Sequence, residues 1–336
     1  MRELLKKLCS IPAVSGNEGA ITDFIINEIK DYCDFEVDRN GNIICFKKGD
    51  NRPKKKVVLD AHMDEVGIIA TCATAEGFIK FTTVGGIETA VMLCRTVTFE
   101  NGVKGVIGMK PVHLSSADER KKYPDSDSLY IDIGASSKEE AEKLVLPGSV
   151  AVFDSEVTLM GEDRIKARAI DDRAGVACLV SLLKQPAKYD YYAVFSVQEE
   201  VGTRGAQTAA FSVDPDVAII LEATTAADLQ GIFEEKQVCR LGEGPAVSFM
   251  DKGNLYTKKL YDLLIKGDIK CQAKQYVAGG NNSRAFALSK DGAMTAVISL
   301  PCRYIHSPSC VADLTDFEGM LPLATYLLNK VAGEEI

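Results

Sequence analysis

The sequence predicts an α/β protein interrupted by a smaller β-rich insertion. Three observations carry this expectation. Apolar β-type runs alternate with stretches of helical period near the amino terminus and again from about Met160 onward. Between about Ile68 and Leu159 that alternation gives way to short strands and turn residues. Five apolar runs in the flanking parts each end in an acid or a histidine.

Taken in order, Ser15 and Glu18 have capping-box spacing, and Ile21, Phe24, Ile25 and Ile29 follow at helical period, which predicts a first helix. Strands are expected over 35–37 and 43–46, with Asn40, Gly41 and Asn42 as the turn between them. A third run, 57–59, leads into the polar cluster DAHMDE. In the insertion, FIKFTTV, RTVTFE, VKGVIGM, LYIDIGA and SVAVF read as strands, with Asn101-Gly102 as a hairpin turn. SSKEEAEKL reads as a serine-capped helix over 136–144. The α/β alternation then returns. A helix is expected over 173–183, strands over 192–197 and 217–221, and a helix over 255–266 stopped by Gly267. The strand TAVISLP and a final helix over 316–330 complete the chain.

Composition narrows the function. The 336 residues suit two domains, and 46% hydrophobic with 26% charged residues allow a sizeable core. A net charge of −9 without a long basic run argues against nucleic-acid binding. No apolar stretch reaches the roughly 18 residues of a membrane span, and the first residues lack a signal-peptide core. The ten cysteines form no C-x-x-C pair, and several lie inside apolar runs. They read as reduced core thiols of a cytoplasmic protein.

The chemistry concentrates at the ends of the five runs. VVLDAHMD presents His62 and Asp64, KARAIDD presents Asp171 and Asp172, and YYAVFSVQEE presents Glu199 and Glu200. DVAIILE presents Glu222, and AVISLPCRYIH presents His306. In open α/β sheets ligands bind outside the carboxyl ends of the strands, so these positions can converge. Taken singly, each has an ordinary explanation: a core histidine, a helix cap, a solvated acid pair. Together they form an imidazole and carboxylate mixture suited to divalent cations. Only three histidines occur in the whole chain, and two belong to this set. Four or five clustered carboxylates repel one another unless cations neutralise them. Two such ions about 3.5–4 Å apart would also make a hydrolytic site. The third histidine, His113, stays open between a structural role and a contact at the site.

The motifs AHMDEVG, IDDRAG, QEEVGTRGA and RYIHSP, in this order, resemble the glutamyl aminopeptidase and tetrahedral aminopeptidase family of co-catalytic metallopeptidases. The resemblance extends to KPVHL, YIDIGASSKEEAE and PGS in the insertion. It implies a mixed-sheet, zinc-peptidase-like catalytic domain from 1–67 and 161–336, with a small β-barrel-like domain inserted at 68–160. It implies that His62 binds one metal, oriented by Asp64, that Asp171 bridges two metals, through a cis peptide to Asp172, and that Glu200 and His306 bind the second. Glu199 would be the general base for an attacking water. Glu222 stands where the family commonly carries aspartate and would ligate the first metal. Asn282, in GGNNSRAFA, stands where relatives carry an acid, which bears on substrate preference. The implied cofactors are two divalent ions, zinc or alternatively cobalt or manganese. The implied substrates are peptides with a free amino terminus. The implied assembly is a dimer, made through the insertion, that builds to a dodecamer. A related deacylase or carboxypeptidase would share the metal core. Glycoside hydrolysis would need two carboxylates flanking one sugar bond, and usually aromatic platforms, yet the chain has no tryptophan. A non-catalytic assembly protein would not need the full set of residue types present here.

Overall fold

A computed structural model describes residues 1–334. Its main sheet runs in the order Asp34–Val37, Ile43–Lys47, Tyr191–Ser196, Val57–His62, Val217–Thr225, Met294–Arg303, Cys310–Asp313, Arg164–Ala167 and Thr158–Met160. Four central strands are parallel: Tyr191–Ser196 pairs with Val57–His62, which pairs with Val217–Thr225, which pairs with Met294–Arg303. Cys310–Asp313 is antiparallel both to Met294–Arg303 and to Arg164–Ala167. Two reversals restore direction, so Arg164–Ala167 points the same way as the central four. All five apolar runs singled out by their terminal acids and histidines therefore open on one edge of the sheet.

Sequence explains why these strands lie in the middle. VVLDAH is buried at every position, and eight of the nine residues of Val217–Thr225 are buried. Parallel strands covered on both faces read as continuous apolar runs. One face packs on Leu5, Leu8, Ile21, Ile25, the helix Ile170–Leu183 and the helix Leu314–Gly333. The other carries Val58, Val194, Ile220 and Val297 against Ala206, Ala209, Ala210 and Phe286. Thirteen of the fourteen residues of Ile170–Leu183 are buried, as expected of a helix apolar nearly all round.

The insertion closes into a barrel in the order Gly67–Ala73, Ile79–Val84, Tyr130–Asp132, Lys104–Gly108, Thr96–Phe99 and Val150–Phe153, with its own core around Ile68, Phe81, Val97, Ile107 and Ile131. Closure leaves no unpaired edge strand to invite aggregation. Gly102, at φ +87°, makes the hairpin turn the sequence anticipates. The strand Thr158–Met160 pairs with Arg164–Ala167 in the main sheet.

Three sequence expectations change. The helix Gly19–Ile29 has no side-chain cap. Ser15 donates its hydroxyl to Asp64 Oδ2 at 2.6 Å instead, and Glu18 Oε1 accepts from the backbone N–H groups of Gly16 and Gln198. Both residues of the expected box thus serve the strand-end loops rather than the helix. The strand expected to stop at Leu221 continues to Thr225, so Glu222 lies within it, in register with Ser299. An additional helix, Arg2–Ser10, precedes all the expected elements.

Candidate active site

His62 ends its strand, and the chain turns at once into Met63 and Asp64. Asp64 is fully buried and accepts from the backbone N–H of Glu199 (3.0 Å), that of Glu200 (3.2 Å) and the Ser15 hydroxyl. His62 Nδ1 lies 3.2 Å from the Asp64 carbonyl and 3.4 Å from its carboxylate. One carboxylate thus fixes the imidazole and the loop that bears both glutamates. Burial would raise Asp64, but the hydrogen bonds from His62, Ser15 and Glu199 keep it below its ordinary value. Beneath it, Glu65 bridges two buried arginines, Arg168 Nε at 3.0 Å and Arg173 Nη2 at 3.3 Å.

Asp171 lies with non-helical backbone just before the regular turns of the buried helix Ile170–Leu183, and its peptide bond to Asp172 is cis. The two oxygens of Asp171 face different partners. Oδ1 lies 3.1 Å from His62 Nε2, and Glu222 Oε1 lies 3.4 Å from that same nitrogen. Oδ2 lies 3.3 Å from His306 Nε2, and Glu200 Oε1 lies 3.2 Å from that nitrogen. The site has two lobes joined by Asp171: His62 with Glu222, and His306 with Glu200. The structure brings together all five residues expected as ligands. Glu199 lines the same cleft of about 220 Å³ with them.

His306 reaches the cleft from the loop between Met294–Arg303 and Cys310–Asp313, with left-handed backbone at Tyr304 and His306. Its Nδ1 lies 2.8 Å from the carbonyl of Gly86, in the insertion. That carbonyl can only accept, so Nδ1 carries a proton and Nε2 is left to face Asp171 and Glu200.

The charge balance of the cleft asks for cations. Asp171, Asp172, Glu199, Glu200 and Glu222 are five carboxylates, against the two imidazoles of His62 and His306 and the one ammonium of Lys274. Burial, and then the neighbouring charges of Glu222, Glu200 and Asp171, push Glu199 well above the carboxylate range. Burial pushes Glu222 up to about 8. Burial opposes protonation of His306, but Asp171 and Glu200 outweigh it and carry His306 up to about 11. Glu200 Oε1 and Asp172 Oδ2 are buried without a hydrogen-bond partner. Unpartnered buried acceptors beside imidazole nitrogens form candidate ligand groups for a cation. The donor set of nitrogen and carboxylate oxygen suits zinc and related divalent ions.

The M42 glutamyl aminopeptidase family matches residues 41–323. The chain belongs to that family. It is 33% identical to the lysyl aminopeptidase of Pyrococcus furiosus, over 98% of this chain and 97% of that protein. Its structure resembles an aminopeptidase from the archaeon Desulfurococcus kamchatkensis, with a TM-score of 0.92 and 36% identity, covering 98% of this chain and 94% of the other. It also resembles the TET1 peptidase of Pyrococcus horikoshii, with a TM-score of 0.84, 34% identity and 99% of each chain covered. That protein assembles into a tetrahedron or a large octahedral shell. As an M42 member, the chain is a peptide hydrolase.

Within this M42 site, the structure adds to and corrects the sequence reading. Asp172 Oδ1 accepts from the Gly175 N–H at 2.9 Å, so it caps the helix as expected. Yet Asp172, His62 and Glu222 also bring ligand atoms within 4.8 Å of one another, a grouping the sequence did not suggest. Asn282 does not line the cleft. It is buried, and its amide donates to Asp60 Oδ2 and Ser196 Oγ, both at 2.8 Å. Its neighbour Asn281 lines the cleft instead. His113 is exposed on the turn Val112–Leu114 and does not line the cleft. Gly86 and Lys274 were not foreseen. A backbone carbonyl leaves no mark in a sequence, and a lone lysine in a polar segment reads as surface. Among the described residues no helix is long and apolar enough to cross a membrane.

Proposed function

We propose that the chain is a two-metal aminopeptidase that removes the first residue of peptides bearing a free amine. The observation that carries this is the double-sided Asp171, whose two oxygens each face a separate histidine and glutamate. His62, Glu222 and Asp171 would hold one divalent ion, and Asp171, His306 and Glu200 the other, with zinc the first candidate. When bound, the pair would supply Lewis-acid activation of a water and of the scissile carbonyl. Glu199 lines the cleft and, among the described residues, makes no side-chain hydrogen bond; it would accept the proton of the attacking water and pass it to the leaving amine. Asp64 acts through others: it orients His62 and holds the backbone of Glu199 and Glu200. The ten free cysteines favour a reducing cytoplasm. The barrel, which makes up most of 68–160, is the element we assign to contacts between copies, building dimers and then a shell of twelve chains.

The reading predicts that peptides with a free amine lose their first residue and that their N-acetylated counterparts do not. Mass spectrometry of the products checks this. Cleavage of acetylated peptides at the same rate, or attack from the carboxyl end, would replace it with a deacylase or carboxypeptidase.

The cleft also bears on which first residue is preferred. Lys274 is buried on its wall and donates to the Ala278 carbonyl at 2.9 Å. Burial lowers its pKa, and among the described residues no carboxylate lies within ion-pair distance of it. The charges of Asp251 and Glu222 act on it without pairing, so a substrate carboxylate within bonding reach would meet a desolvated cation. We therefore expect acidic first residues to be favoured. Lys274→Met should lower kcat/KM for a glutamyl substrate relative to a leucyl one by roughly 10- to 100-fold, the weight of one hydrogen bond to a charged group. An unchanged ratio would remove Lys274 from substrate selection.

A further inference from the structure

A second cavity of about 880 Å³ adjoins the cleft, and the segment Gly279, Gly280 and Asn281 lines both. Gly202 and Thr203, just past Glu199, form part of its wall, and the helix Ser283–Ala287 forms another. Its charge is one-sided. Lys252, Arg284 and Lys290 line it, and no aspartate or glutamate does. Lys290 is already engaged, 3.3 Å from Asp214 and over the ring of Phe211. Lys252 and Arg284 are exposed and, among the described residues, have no ion-pair partner.

The floor between the two cavities is bare backbone. A Cβ added at Gly279 or Gly280 would meet nothing within 4 Å. The Gly279 carbonyl accepts from the Lys252 N–H at 2.9 Å, which ties the lysine loop to this strip. Asn281 is fixed by bonds from its amide to Asp251 and Tyr256. Gly280 is exposed, and among the described residues its N–H and carbonyl make no hydrogen bond, so an extended peptide can pair with them.

We infer that this cationic cavity receives the downstream end of the substrate peptide, with Lys252 and Arg284 binding its carboxylate while the first residue occupies the cleft. This rests on the aminopeptidase reading. The peptide would cross Gly279 and Gly280 in extended form, and short peptides ending in a free carboxylate would be held at both ends. An acidic side chain downstream of the cut offers the same chemistry as the chain terminus.

Steady-state kinetics on matched substrates tests it with the metal-loaded enzyme. One arm compares tri- and tetrapeptides that end in a free carboxylate with the same peptides amidated. A second compares amidated peptides carrying glutamate or glutamine two residues past the cut. A third uses the first residue as its p-nitroanilide, which cannot reach the second cavity. Lys252→Ala combined with Arg284→Ala should raise KM for the carboxylate-bearing peptides by roughly tenfold, as expected from losing two exposed ion pairs. The same double variant should leave the p-nitroanilide unchanged. The native enzyme should show a similar penalty on amidation. A response in the first arm alone assigns the chain terminus; a response in the second alone assigns the side chain; either supports the site. Equal KM values in both arms, with the p-nitroanilide still cleaved, overturn the cavity's role and leave the aminopeptidase reading standing. Failure to cleave any of the three overturns both.

Discussion

Glu199→Gln should lower kcat by roughly 10²- to 10⁴-fold, the usual weight of general acid–base catalysis, while metal content and KM stay close to native. The two adjacent glutamates face different work. Glu200 Oε1 sits 3.2 Å from the His306 imidazole, in one lobe of the site. Glu199 lines the cleft and belongs to neither lobe. An amide keeps the size of the side chain but accepts no proton at neutral pH. Its neutrality also suits the position, since burial and the surrounding acids already disfavour charge on Glu199. The fold should therefore tolerate the change. Turnover and metal content measured on one preparation decide the matter. Native turnover with the metals in place would assign the base to another group.

Asp171→Ala should empty both lobes. It removes the two oxygens that face His62 and His306, whereas His306→Ala disturbs one lobe only. The alanine variant at 171 should fall from about two divalent ions per chain to well under one and lose activity by roughly 10³-fold or more. His306→Ala should retain about one ion. In the metal-free protein burial would raise Asp171, but the contacts from His306 and His62 outweigh it and hold Asp171 below the carboxylate range, so its loss should also lower the thermal midpoint, and metal content is read on protein that remains folded. A variant that binds two ions normally would rule out a bridging carboxylate at 171. Strong chelation of the native enzyme should reproduce the activity loss, reversibly.

Much of this architecture was readable before any coordinates. Runs such as VVL at 57–59 and VAIIL at 217–221 are apolar throughout because both faces of the central sheet are covered, and that pattern is local. The convergence of their ends was readable because parallel strands share a direction, so acids and histidines at their carboxyl ends meet at one edge. The failures share a cause, which is tertiary competition for a side chain. Ser15 had the spacing to cap a helix, but Asp64 was the stronger acceptor within reach. Asn282 looked like a neighbour of the substrate, but burial turned its amide toward Asp60 and Ser196. Lys274 gave no signal, since nothing in a sequence marks a lysine buried on the wall of a cleft. Gly86 gave none either, because its part is played by a carbonyl that every residue has.

The bond from His306 to Gly86 spans 220 positions of the chain. Contacts that distant form only after much of the loop-closure entropy has been met, which places them among the slow events of folding. Chains are made from the amino terminus, and His306 is the last of the site residues to leave the ribosome. A growing chain therefore carries His62, Asp171, Glu199, Glu200 and Glu222 for some time with one lobe lacking its histidine. Hydrolytic competence therefore waits for His306, however early the other site residues have emerged.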